Sequence, residues 1–69
     1  MVHIGSRIKE EVRLQGLTNE KFAAMINVNQ RTVNKLYNKQ FIDLLHLYQI
    51  SKVLNKDFFQ FYSDELKHQ

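Results

Sequence analysis

Cysteine and proline are both absent from the 69 residues, and glycine occurs only twice. Without cysteine, neither a disulfide nor a thiolate metal site can hold so short a chain together, and oligomerisation is a common supplement to a core of this size. The same absence fits a cytoplasmic setting. Few glycines, no proline and 43% hydrophobic residues predict a globular, mostly helical chain rather than a disordered or strand-rich one. No run of about 18 apolar residues is present, and Met1 to Gln15 lacks the apolar region of a signal peptide, so neither a membrane span nor export is expected.

Signatures of catalysis are missing as well. No HExxH, glycine-rich phosphate loop or GxSxG occurs, and His3, His46 and His68 lack the helical i+3 or i+4 partner that would make a zinc pair. Glu10 and Glu11 are neighbours on one helix and point about 100° apart, so they cannot share a substrate. The expectation is a protein with no catalytic residue, no metal and no cofactor. His3 and His46 read as surface residues.

Acid is also missing from one particular stretch: Asn27 through Phe41 holds neither Asp nor Glu. The net charge is only +3, yet residues 17 to 39 carry Lys21, Arg31, Lys35 and Lys39 against Glu20 alone. The rest of the chain is close to balanced, so the excess sits on one segment, as the footprint of a nucleic-acid partner should.

That segment, Leu17 to Lys39, reads as two short helices and a tight turn. Thr18 can accept from the free N–H groups of the first helix, and Glu20 suits the positive end of its dipole. Phe22, Ala23 and Ile26 share a side. Asn27 tolerates the left-handed conformation and ends this helix, with Val28 expected to drop into the core. Asn29 then caps a second helix, on which Val33, Leu36 and Tyr37 span an arc of about 100° that should be buried. The opposite arc of about 140° carries Gln30, Asn34, Asn38, Arg31 and Lys35. Surface helices usually mix both signs of charge. A face of Arg, Lys, Gln and Asn instead matches the donors and acceptors on base edges in a major groove.

The segment resembles the lambda-repressor-like, Cro/XRE-type helix-turn-helix family. Leu17, Thr18, Glu20, Ala23, Val28, Thr32 and Val33 stand where that family has Leu-Thr-x-Glu, then Ala, Val, Thr and Ile, and the likeness extends from about Ile4 to Leu54. It implies an all-α, compact fold of four to five helices that binds double-stranded DNA. By the same register the family's base-reading positions fall on Gln30, Arg31 and Lys35. Its phosphate or backbone contacts fall on Asn19, where glutamine is usual, and on Asn29, Thr32, Asn34, Asn38 and Lys39. Two departures stand out. Asn27 occupies a turn position where glycine is common, and Val12 and Tyr37 occupy the positions of a buried Arg–Glu pair found in many members. Replacing both halves of such a pair by apolar groups is often neutral or stabilising, so the fold should tolerate it.

Around the motif, Ser6 or a near neighbour should open a first helix with Ile4, Ile8 and Val12 on one stripe, and Gly16 should end it. Phe41 and Ile42 should tuck under the motif, after which Asp43 caps a fourth helix with Leu47, Ile50 and Leu54 inward. Leu44 and Tyr48 are expected to widen that stripe, while Leu45 falls on the polar side. Asn55 should end the helix, and Asp57 should cap a last one containing Phe58, Phe59, Phe61 and Tyr62. On that helix Phe59 points away from the other three. Ser63 to Gln69 is polar and is expected to fray.

These readings predict one domain over residues 1–69, with the motif at 17–39 and a candidate dimerisation region at 43–63. Leu45, Phe59, Phe61 and Tyr62 are its candidate contacts. The expected function is a cytoplasmic, sequence-specific transcriptional regulator, a repressor acting as a homodimer on a palindromic operator. The alternative is an antitoxin-like or adaptor module whose aromatic C-terminal end binds a partner protein.

Overall fold

Four of the five helices of the computed structural model, which describes residues 1–68, start at a residue whose side chain takes up a free backbone N–H. The helices are α1 (Ile4–Leu14), α2 (Asn19–Met25), α3 (Gln30–Tyr37), α4 (Leu44–Leu54) and α5 (Phe59–Lys67), with no strand among the described residues. Thr18 Oγ1 accepts from Lys21 N–H at 3.0 Å, Asn29 Oδ1 from Thr32 at 2.9 Å and Asp43 Oδ1 from His46 at 2.8 Å. Asp57 does not cap α5 as expected: the capping position is Phe58, which has no side-chain cap bond, and Asp57 stands one residue earlier with its Oδ1 accepting from Phe59 N–H at 3.0 Å. At α1 the cap is a near neighbour of Ser6: His3 Nδ1 accepts from Ser6 N–H at 3.1 Å, so His3 is a capping residue rather than a merely solvated one. The capping spacing is kept, with an imidazole nitrogen replacing the usual oxygen.

The exits of three helices share one solution. Gly16, Asn27 and Asn55 have φ of 71°, 60° and 52°, and the residue after each donates back across the last turn. These bonds are Leu17 N–H to Val12 O at 3.1 Å, Val28 N–H to Ala23 O at 2.9 Å and Lys56 N–H to Ser51 O at 3.0 Å. Asparagine thus does in two places what glycine does in one.

One apolar cluster holds the elements together. It comprises Ile4, Ile8 and Val12 of α1, Phe22 and Ala23 of α2, Val33, Leu36 and Tyr37 of α3, Leu47, Ile50 and Leu54 of α4, and Phe58. No polar or charged residue is wholly buried among the described residues, although the Ser51 hydroxyl oxygen is enclosed without a hydrogen-bond partner. At the former Arg–Glu positions, Val12 is in the core, and Tyr37 stacks on Phe22 with ring centroids 6.4 Å apart. The Tyr37 hydroxyl reaches out of the core and donates to Asn19 Oδ1 at 2.9 Å, so a neutral bond ties α3 to α2.

Backbone docks on backbone where α1 meets the end of α3. Ile4 N–H donates to Gln40 O at 3.1 Å and Gly5 N–H to Lys39 O at 2.9 Å, which occupies two donors at the start of α1 with acceptors just past α3. A Cβ on Gly5 would stand 2.6 Å from the carbonyl oxygens of Tyr37 and Lys39, so only glycine permits this approach. At the other end of α1, Gln15 Nε2 donates to Leu54 O at 2.7 Å and ties it to the exit of α4.

Several apolar side chains lie elsewhere than their pattern suggests. Val28 is not in the core but on the surface, 36% exposed. Phe41 does not tuck under the motif either and is 54% exposed, leaving Ile42 alone to pack inward. Leu44 and Tyr48 do not widen the buried stripe of α4, because the core cluster takes in only its Leu47–Ile50–Leu54 side and leaves both exposed. Phe59 is half-buried against the core with Phe61 and Tyr62. The polar tail does not fray from Ser63: α5 continues to Lys67, and Glu65 accepts from Val2 N–H at 3.2 Å. Gln69, part of that expectation, lies outside the described residues.

Candidate nucleic-acid interface

The outward arc of α3 is built by exclusion. Val33, Leu36 and Tyr37 fix one side in the core, and the helical repeat then leaves Gln30, Arg31, Asn34, Lys35 and Asn38 exposed. Nothing inside the fold engages them. Among the described residues, the side-chain hydrogen bonds of α3 stop at the Asn29–Thr32 cap and the Tyr37–Asn19 bond, and no ion pair includes Arg31 or Lys35. Unpaired donors on a rigid helix keep their hydrogen-bonding capacity for a partner.

The flanking positions are less free. Asn29 Oδ1 accepts from both the Thr32 N–H and the Thr32 hydroxyl, the latter at 3.1 Å, which commits the Thr32 proton to the cap and leaves the Asn29 Nδ2 available. Asn19 uses its Oδ1 on Tyr37 and likewise keeps its Nδ2. Lys39 is exposed, and its own carbonyl is held by Gly5, so the α3–α4 loop leaves the helix in a fixed direction. The motif gives no hint of that tether; its only signal in the sequence is a glycine early in a helix, where propensity disfavours it. Desolvation by burial pushes the Tyr37 phenol above its ordinary value, so it stays a hydrogen-bond donor to Asn19 further into alkali than a free phenol would.

The expected dimerisation residues divide. Phe59, Phe61 and Tyr62 pack against the core, and the Phe61 ring lies under the Arg7 guanidinium at 4.8 Å and near Lys56 Nζ at 5.6 Å. Leu45 is open, and with Leu44 and Tyr48 it forms an apolar ridge along α4. The aromatic cluster therefore supports the domain from within, and α4 carries the uncovered apolar surface.

Two short helices joined by a left-handed turn, the second exposing an acid-free polar face, define a helix-turn-helix domain. Residues 8–61 match the family model described as Helix-turn-helix, of the Cro/C1 type, and the chain belongs to that family. It is a family of DNA-binding regulatory domains, not of enzymes, and the chain is accordingly a DNA-binding transcription regulator. No curated protein and no solved structure showed a match to it. No helix is long and apolar enough to cross a membrane among the described residues.

Proposed function

We propose that the chain is a repressor that binds a near-palindromic operator as a homodimer, with α3 in the major groove. The observation that carries this reading is the unpaired, acid-free arc of α3. Gln30, Arg31 and Lys35 read base edges: Arg31 and Lys35 suit guanine O6 and N7, and Gln30 suits adenine N6 and N7. Asn19, Asn29, Asn34, Asn38 and Lys39 contact the phosphate backbone and set the register, with Thr32 contributing mainly through its cap. Repression follows from occupying a site that polymerase needs.

One recognition helix reads only a few base pairs, so a second copy is required for a useful specificity ratio. The ridge of Leu44, Leu45 and Tyr48 supports a two-fold contact through α4, with recognition helices about 34 Å apart on one face of the duplex. The adaptor alternative draws less support, since the aromatic end it relies on is packed into its own domain. Selection of bound sequences from a random duplex pool tests the proposal. The expected result is two inverted half-sites one helical turn apart; recovery of no consensus, or of single half-sites only, would count against it.

A further inference from the structure

Val28 and Phe41, two of the side chains that fail to enter the core, line the same groove. It runs between the α2–α3 turn and the outer side of α4 and has a volume of about 1000 Å³. Ile26, Ile42, Ile50 and Val53 also line it, so much of its lining is apolar. Lys35 and Lys39 from α3 and Lys52 from α4 also line it. The one acid there, Asp43, is engaged by His46 through its N–H at 2.8 Å and its Nδ1 at 2.6 Å. Apolar walls bordered by three ammonium groups, none of them in an ion pair among the described residues and only Lys52 resting over a ring, that of Tyr48 at 5.5 Å, make a two-part surface that neither water nor a simple anion satisfies.

We infer that this groove docks an acidic, amphipathic helix of a partner protein. Duplex DNA can satisfy the lysines, but a phosphate laid over the apolar lining would lose its hydration without gaining a partner. A second copy of this chain fits poorly too, because Glu20 is its one acid not engaged at home among the described residues, and a single carboxylate does not match three lysines. Glu65 meets the N-terminus, Glu10 meets Arg7, Glu11 meets Gln15, Asp64 meets Gln60 and Asp57 accepts from Phe59 N–H. A helix with apolar side chains at i, i+3 or i+4 and i+7, and carboxylates beside them, meets both parts at once. Lys35 and Lys39 are shared with the proposed DNA contacts, so on that reading the partner and the operator exclude each other.

The test uses the full chain, labelled for amide NMR, and a synthetic four-turn peptide with Leu at the helical spacing above and Glu between. A scrambled peptide of the same composition is the control. The expected result is saturable shifts at Val28, Ile42 and Val53, with the scramble binding about tenfold more weakly, and release of a labelled operator duplex by the patterned peptide alone. Phe41→Ser, at an exposed site, should weaken the peptide about tenfold with unchanged melting temperature and duplex affinity. Equal binding of the scramble, shifts confined to the outer arc of α3, or an unaffected Phe41→Ser would overturn the assignment. Peptide binding in the groove by a protein that never binds duplex DNA would stand for the groove and against the DNA-binding reading.

Discussion

Gly5→Ala tests the contact that aims the recognition helix. By helix propensity alone, alanine inside α1 should stabilise the chain by about 1 kcal/mol. The structure predicts the opposite sign. The new Cβ would run into the Leu36 carbonyl oxygen and sit 2.6 Å from those of Tyr37 and Lys39, whereas ordinary contact begins at 3.4 Å, so α1 must withdraw by several tenths of an ångström. Backbone oxygens at a helix exit cannot swing aside as a flexible side chain would. Withdrawal weakens the Ile4–Gln40 and Gly5–Lys39 hydrogen bonds, at about 1 kcal/mol each, and the overpacking itself costs about 1–3 kcal/mol. After the propensity gain, the net loss is about 2–4 kcal/mol. For a domain of this size each kcal/mol moves the melting temperature by about 4–8 °C, so thermal denaturation followed by circular dichroism should show a fall of more than about 8 °C. Gly16→Ala is the control: nothing lies within 4 Å of its Cβ, and only its φ of 71° is strained, at a cost of about 1–2 kcal/mol. A melting temperature for Gly5→Ala at or above that of the parent would refute the docking argument.

Arg31→Ala should cost about 1–3 kcal/mol at the selected operator and relax the preference at one base pair, while binding to random duplex changes little; equal losses on both would make Arg31 a phosphate clamp. Lys39→Ala should weaken all duplexes alike and reduce the slope of log affinity against log salt by about 0.9, and an unchanged slope would remove Lys39 from the phosphate contacts. Leu45→Asp should give a folded monomer with weak half-site binding, seen by sedimentation together with an unchanged circular dichroism spectrum. A parent chain that sediments as a monomer at tens of micromolar, roughly the range in which weak dimers still form, would dispose of that interface. Stability should fall in alkali. Burial raises the folded-state values of Tyr37 and Tyr62, so their contribution is complete below about pH 10 and is lost as pH rises through the raised values. Denaturant titrations should show a shallower alkaline loss in Tyr37→Phe, and an identical loss would contradict the assignment. Asp43 has the opposite sign: the His46 N–H holds its carboxyl below the usual carboxylate range, so its contribution is lost as pH falls through that lowered value.

Local chemistry makes much of the fold legible in the amino-acid sequence. Thr18, Asn29 and Asp43 cap where a short side-chain oxygen can reach an N–H three residues on, and Gly16, Asn27 and Asn55 stop helices where the backbone must turn left-handed. Such interactions span only a few residues. Periodicity also locates the buried side of α3, because Val33, Leu36 and Tyr37 define it without help from neighbours. It fails on Val28, Phe41, Leu44 and Tyr48 for one reason: a helical repeat or an apolar residue type says which side chains group together, not whether another element arrives to cover them. With only five short helices there is too little chain to cover every apolar side. The same limit hides the role of Gly5, which depends on a carbonyl more than thirty residues away. It also makes Phe59 look like the place to break a dimer, whereas its partial burial means that an aspartate there would damage the core first.

The Tyr37–Asn19 bond separates the ionic behaviour of binding from that of folding. At the Arg–Glu positions Val12 lies in the apolar core and Tyr37 turns its neutral hydroxyl to Asn19 of α2, and every ion pair among the described residues lies at the surface. Added salt screens exposed charges and competes for phosphates, but it has little hold on a phenol–amide bond and an apolar core. The domain can therefore be released from DNA by ionic strength alone while its recognition helix stays set at the same angle, ready to rebind on dilution without refolding.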